Sequence, residues 1–249
     1  MNNIYKLFEK RIIFWSAIAS IIALVFVFIT DKWSIIISLS LFWLIVVILF
    51  LRILWVINRY IIAKNPDEIL RTSTFITYRT NDGVNIEFET YRHIQSKRLI
   101  LYEFDHGFKW SGSKLPTFES KLQDVASVTQ SAPGQWDKAV LLFKKPLLYN
   151  ESAMVHFLAK MNDADGKSLP YVEVKVVQSI DVIWFRIVLR HKIMPYNKTA
   201  TLKRKSANSV TNAEYEILEA VPFDQVSMSY EYPLITPTPG YYYRIDFEK

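Results

Sequence analysis

The sequence predicts a membrane α-helical hairpin followed by an all-β cytosolic domain, an antiparallel sandwich or barrel-like fold. Three observations predict it. Two runs near the N-terminus, residues 12–30 and 33–51, are each nineteen residues long and uncharged. Cations flank these runs and are nearly missing between them. From about residue 70 the apolar pattern changes to a period of two, the spacing of a strand with one face buried.

At 1.5 Å per residue, each uncharged run matches the roughly 30 Å hydrocarbon core of a bilayer. The first run is too long for the apolar stretch of a cleavable signal, and no small-x-small site ends it. Lys6, Lys10 and Arg11 precede the first run, Arg52, Arg59 and Lys64 follow the second, and Lys32 beside Asp31 lies between. The positive-inside rule then gives a two-pass protein with both termini cytoplasmic, and the expected location is the cell inner membrane. Residues 1–64 form the membrane region, with helices at about 12–30 and 33–57, the second extending towards 64 until Asn65-Pro66 disfavours further helix. Residues 65–249 form the β-rich sensor or ligand-binding domain.

Small residues recur four apart within the helices: Ser16 and Ser20 on the first, Ser34 and Ser38 on the second. That spacing lets helix backbones approach and hydroxyls bond across. The serines therefore serve either packing within the hairpin or the lining of an oligomeric pore. No ionisable residue lies mid-membrane, which argues against a proton relay. Arg52, Trp55 and Arg59 share one face at i, i+3, i+7 and read as membrane-interface anchors.

In the β-domain, strands are predicted at 72–79, 84–91, 98–105, 139–143, 153–160, 171–178, 182–191, 199–205, 214–219, 226–232 and 241–247. Asn81-Asp82-Gly83 and Asp163-Ala164-Asp165-Gly166 read as hairpin turns. Residues 122–128 and 206–215 are ambiguous between strand and short helix. With no long helical crossovers, the pattern predicts antiparallel pairing throughout.

Composition excludes several chemistries. The chain has 249 residues, 51% of them hydrophobic and 15% aromatic, which is too apolar for a disordered protein. It has no cysteine, hence no disulfide, thiolate metal site or thiol nucleophile. Asp163-x-Asp165-Gly166 opens like a calcium loop but lacks the remaining ligands. The segment from Gly107 to Lys114 places lysine after serine, the wrong order for a phosphate loop. His93, His106, His156 and His191 show no ligand spacing, and His156 reads as an ordinary strand residue. Glu87 and Glu89 read as a solvated strand face. No nucleophile, base and orienter assemble, so no catalytic residue, metal or cofactor is expected, and the chain is not expected to be an enzyme.

The net charge of +6 is concentrated: residues 1–64 hold seven cations against two acids, and residues 65–249 hold 23 against 22. Most of the excess is therefore a topology signal. Within the β-domain, residues 182–213 carry seven cations and no acid, whereas residues 214–249 carry seven acids against two bases. Alternation turns Ile183, Phe185, Ile187 and Leu189 inward. The opposite face then carries Trp184, Arg186 and Arg190, with Lys192 in phase, and a following hairpin strand adds Lys203 and Lys205. Cations beside an aromatic suit phosphates and stacked bases. The same face could instead pair with the acidic C-terminal strands or meet anionic lipid headgroups.

A two-helix membrane hairpin with a cytosolic β-domain resembles the membrane effectors of nucleotide-signalling bacterial anti-phage defence. These include the two-transmembrane β-barrel effectors of CBASS. The effector of the Hailong system fits better, because the 185 residues after position 64 exceed a minimal barrel. The resemblance covers the whole chain as architecture and transfers no residue. It implies a homo-oligomeric effector or channel of antiviral defence whose β-domain binds a cyclic oligonucleotide or short DNA made by a partner nucleotidyltransferase. Membrane depolarisation or disruption would follow, and in the Hailong case loss of an inhibitory DNA oligomer would open the channel. Trp184, Arg186, Arg190, Lys192, Lys203 and Lys205 are then the candidate ligand face. The alternative is a non-enzymatic membrane-anchored scaffold or adaptor, or an envelope-complex subunit, whose basic face contacts lipid headgroups or a protein partner.

Overall fold

A computed structural model describes residues 16, 20, 32–129, 136–208 and 214–249. The chain divides after Tyr60, and Ile61–Lys249 form the second unit. The apolar run after position 32 is one continuous helix, α1 (Lys32–Lys64, 33 residues), about 50 Å long at 1.5 Å per residue. Neither glycine nor proline interrupts it. Its many β-branched residues are mediocre helix formers in water. Lipid changes that balance, because every backbone polar group must be satisfied within the segment. Trp33, Trp43, Phe50 and Trp55 each expose more than half their surface, at 72%, 59%, 59% and 56%. The helix ends where Pro66 disfavours helical backbone at Asn65. There the Ile61 carbonyl accepts both Asn65 N–H (2.9 Å) and Asn65 Nδ2 (3.0 Å).

This corrects the predicted hairpin. Among the described residues one helix, not two, is long and apolar enough to cross a membrane. The expected first span, 12–30, lies outside the described residues except for Ser16 and Ser20, both helical and exposed. The two-pass placement in the inner membrane with both termini cytoplasmic falls with the hairpin. So does the likeness to the Hailong and CBASS effectors, which rested on architecture alone. The pore-forming, nucleotide-gated antiviral channel drew its support from that likeness and is withdrawn.

The strands after α1 are β1 (Ile69–Thr80), β2 (Asn85–Ser96), β3 (Ile100–Phe108), β4 (Thr117–Glu119), β5 (Asp124–Thr129), β6 (Asp137–Leu148) and β7 (Ser152–Asn162). They continue as β8 (Tyr171–Val176), β9 (Val182–Leu189), β10 (Ala200–Ser206), β11 (Glu216–Val221), β12 (Phe223–Asp224), β13 (Ser229–Ile235) and β14 (Tyr241–Asp246). They form three sheets, ordered β12-β13-β9-β1-β2-β7-β4, β11-β10-β14-β8 and β3-β6-β5. Among the described residues none closes on itself, which corrects the predicted sandwich or barrel. The pairing is also mixed, because β1 and β9 run parallel, with Ser73 opposite Val182 through to Thr80 opposite Leu189. Parallel neighbours need a long crossover, commonly a helix. Here the crossover is made of β2 to β8, so no helical period marked it.

One apolar core joins strands of all three sheets. Phe157, Phe185, Ile187, Leu141, Leu202 and Ile245 are each at most 1% exposed. Ile183, Phe185, Ile187 and Leu189 of β9 all point inward and are buried. Asn81-Asp82-Gly83 turns β1 into β2; Gly83 has φ +80°, and the Asp82 carboxylate accepts Val84 N–H (2.9 Å) and Asn85 N–H (2.7 Å). The second predicted hairpin turn is a different object. Gly166 N–H bonds the Asp163 carbonyl at 2.9 Å, but the turn carries the chain from β7 in one sheet to β8 in another. Asp163 is buried there and accepts Ser168 N–H (2.8 Å), Ser168 Oγ (2.6 Å) and the Lys249 ammonium.

Candidate functional site

On α1, Ser34 and Ser38 are half-buried, whereas Ile35, Ile36 and Ile37 between them are exposed. Ser40 Oγ donates to the Ile36 carbonyl at 2.8 Å, and Ser20 Oγ to the Ser16 carbonyl at 2.9 Å. At Ser20 and Ser40 the hydroxyl is thus satisfied within its own helix, a bond that serine makes readily four residues back. Arg52, Trp55 and Arg59 are exposed, and the Arg59 guanidinium lies 4.7 Å from the centre of the Trp55 ring. An aromatic carrying a cation suits the headgroup level of a bilayer.

The acid-free block does not form one surface. β9 lies between β13 and β1 in the seven-stranded sheet, and β10 lies between β11 and β14 in the four-stranded one. The expected hairpin of these two strands is therefore corrected. The C-terminal acidic strands pair with each. Arg186 sits opposite Glu231 across β9 and β13 and binds it at 3.0 Å. Lys203 binds Asp246 at 2.8 Å, Arg204 binds Glu216 at 2.7 Å and Lys198 binds Glu248 at 3.2 Å. Lys205 stands 4.8 Å from the Tyr215 ring, and Lys192 stands 5.0 Å from the Tyr196 ring. Trp184 lies beside Phe75 of β1 and Pro233 of β13, and Arg190 is exposed. Self-pairing between strands accounts for most of the charge segregation.

Two clusters were not singled out from the sequence. In the first, His156 is fully buried. Its Nδ1 accepts Lys121 N–H at 2.9 Å, so the ring proton is on Nε2, which meets Glu89 Oε1 at 3.0 Å. Burial opposes ionisation of Glu89, but hydrogen bonds from Lys121, His156 and Tyr91 outweigh it and hold the carboxyl down to about 2. Glu89 is thus a half-buried, partnered charge, and His156 pins the segment before β5 onto β7.

The second cluster is Arg71, Arg92 and His106, and its two arginines line a partly open cavity of about 380 Å³ in the β-domain. Its floor is the inward face of β2, where Ile86, Phe88, Thr90, Arg92 and Ile94 alternate. Arg92 therefore lies on the cavity side of the strand, half-buried. Arg71 joins it through a β-bulge: the β1–β2 register shifts between Arg71 and Ser73, which turns Arg71 to the cavity side. Each guanidinium carbon is 5.9 Å from the centre of the Phe104 ring. Both Nε atoms are enclosed and unpartnered. Among the described residues neither guanidinium forms an ion pair or side-chain hydrogen bond. Burial, then the neighbouring Arg71, lowers Arg92 to about 9; burial also lowers Arg71, with Asp67 opposing. His106 stacks on Phe157 at 4.0 Å, with both ring nitrogens enclosed and unpartnered. Burial first, then Arg92 and Arg71, push it well below its ordinary 6.5.

The loop after β3 forms part of the cavity wall. The Trp110 indole donates to the Lys114 carbonyl at 2.9 Å, folding the ring over Gly112. A Cβ at Gly112 would clash with that ring, so a larger residue there would displace Trp110. The segment rejected as a phosphate loop thus closes a side of the cavity instead. Arg92 could have been found from sequence parity, since it continues the set Ile86, Phe88 and Thr90. Arg71 could not, because its facing depends on the bulge.

No family model and no curated protein matches the chain. Among solved structures it is similar to an M1 zinc metallopeptidase from Deinococcus radiodurans, at 8% identity and a TM-score of 0.38, over 72% of this chain and 42% of that one. It is also similar to baculovirus P35, at 9% identity and a TM-score of 0.36, over 74% of this chain and 99% of that one. The chain spans about two fifths of the length of the metallopeptidase it matches. Likenesses at this level transfer neither fold nor activity.

Proposed function

We propose that this chain is a non-enzymatic, membrane-anchored scaffold that holds a β-domain at the bilayer. The observation that carries this reading is α1: 33 continuous helical residues whose large apolar side chains lie exposed, with Arg52, Trp55 and Arg59 placed for the interface. The β-domain supports the scaffold role with outlying apolar side chains available to a protein partner, among them Ile193 at 89% and Val226 at 94% exposed. Its outward cations are mostly satisfied by the chain's own carboxylates, which favours anchoring through α1 over anchoring through a basic face.

The test is alkaline extraction of membranes from cells expressing the full chain, with the membrane potential followed in the same cells. The chain is expected in the membrane pellet, with the potential intact at high expression. A cation at the centre of a span costs about 2.5–3.5 kcal/mol, so Leu44→Arg with Ile48→Arg should move the chain out of the pellet. Extraction of the unaltered chain, or depolarisation on its expression, contradicts the reading.

A further inference from the structure

We propose that the cavity bounded by Arg71 and Arg92 is an oxyanion site, taking a carboxylate or phosphate group carried on a compact apolar or aromatic body. The argument begins with cost. A guanidinium moved from water into a protein interior loses hydration and needs hydrogen-bonded anionic partners in return. Two guanidiniums side by side add mutual repulsion. The fold nonetheless places Arg92 on the inward face of β2 and turns Arg71 to join it through a bulge. Other arginines of the β-domain have an acid partner, as at Arg79–Glu87 (3.2 Å) and Arg98–Glu68 (3.1 Å).

The acids nearest the cavity do not fill this role. Asp105 binds Lys138 at 2.7 Å, and Glu173 accepts the Tyr215 hydroxyl. Both arginines line this one space, and an arginine fork matches the planar, multidentate geometry of carboxylate and phosphate oxygens. The remaining wall is largely apolar and aromatic, with Phe88, Phe108, Trp110 and Val172 among its residues, and its polar members include Asp105, Glu173, Lys109 and Lys175. The volume of about 380 Å³ falls within the range of small-ligand pockets. The ligand class follows from the two halves of the wall: oxygens towards the arginines, an apolar body towards the rings.

The test uses the full chain in a neutral detergent, with calorimetric titration of phenyl phosphate, benzoate, inorganic phosphate and, as an uncharged control, phenol. Phenyl phosphate and benzoate should bind saturably, inorganic phosphate more weakly, and phenol not at all. Arg92→Met and Arg71→Met should each weaken phenyl phosphate binding by about ten- to a hundredfold, the usual worth of a hydrogen bond to a charged group. Arg92→Lys keeps the charge without the fork and should fall between wild type and Arg92→Met, which keeps the test valid if Arg92→Met fails to fold. Absence of saturable binding by phenyl phosphate and benzoate, or undiminished binding in both methionine variants, overturns the proposal. Equal affinity for inorganic phosphate and phenyl phosphate overturns its apolar half.

Discussion

The β-domain holds two sets of cations that behave in opposite ways. The outward set, from Arg186 to Lys205, is conspicuous in sequence because no acid interrupts it. In the fold Arg186, Lys203 and Arg204 meet Glu231, Asp246 and Glu216 on neighbouring strands, whereas Lys192 and Lys205 stand on tyrosine rings and Arg190 is exposed. The inward set is only Arg71 and Arg92, separated by twenty residues of unremarkable composition, and among the described residues it meets no carboxylate at ion-pair distance. Charge density along a sequence therefore marks complementarity between strands here. The two arginines on the cavity side reach it by different routes, Arg92 by alternation and Arg71 by the bulge.

Three perturbations bear on that contrast. The largest is expected at Arg92: replacing an unpaired enclosed charge with an apolar side chain of similar length should raise ligand-free stability by about 1–2 kcal/mol. Denaturant unfolding of the Arg92→Met chain checks this, and a loss of stability would show that the inward arginine is satisfied after all. The next effect is on pH dependence. His106 is held below 6.5 in the fold, so as pH falls under 6.5 the unfolded chain takes up a proton that the folded chain refuses. Stability should then drop by about 1.4 kcal/mol per pH unit below 6.5 from this residue and be unaffected by it above. His106→Phe should flatten that slope in thermal melts between pH 6.5 and 5; an unchanged slope would mean that the ring is not enclosed beside the arginines. The smallest effect is outward. A double-mutant cycle on Arg186 and Glu231, both substantially exposed, should give a coupling of about 0.2–1 kcal/mol.

Individual strands were legible in the sequence, but the architecture they form was not. Strands with one wholly apolar face, such as Val182–Leu189 and Ser152–Asn162, announced themselves, and so did the uncharged run that became α1. The short edge strands did not. Thr117–Glu119 and Phe223–Asp224 span three and two residues, too few for any period. Asp124–Thr129 is an edge strand of half-buried and exposed residues, so its pattern did not distinguish strand from short helix. The parallel contact of β1 with β9 left no local mark, since its crossover is built of other strands. Sheet closure also could not be read, because it depends on which edges meet. The site was legible in half: the parity of β2 carries Arg92 inward, but the shift that brings Arg71 beside it is a property of pairing.

The contrast between the two sets comes down to one comparison of affinities. Phenyl phosphate titrated into the full chain, wild type beside Arg186→Met and Arg92→Met, reads both sets in a single experiment. The expected result is wild-type affinity for Arg186→Met and a loss of about tenfold or more for Arg92→Met. Loss at Arg186→Met with retention at Arg92→Met would return the binding face to the outward block and contradict the account.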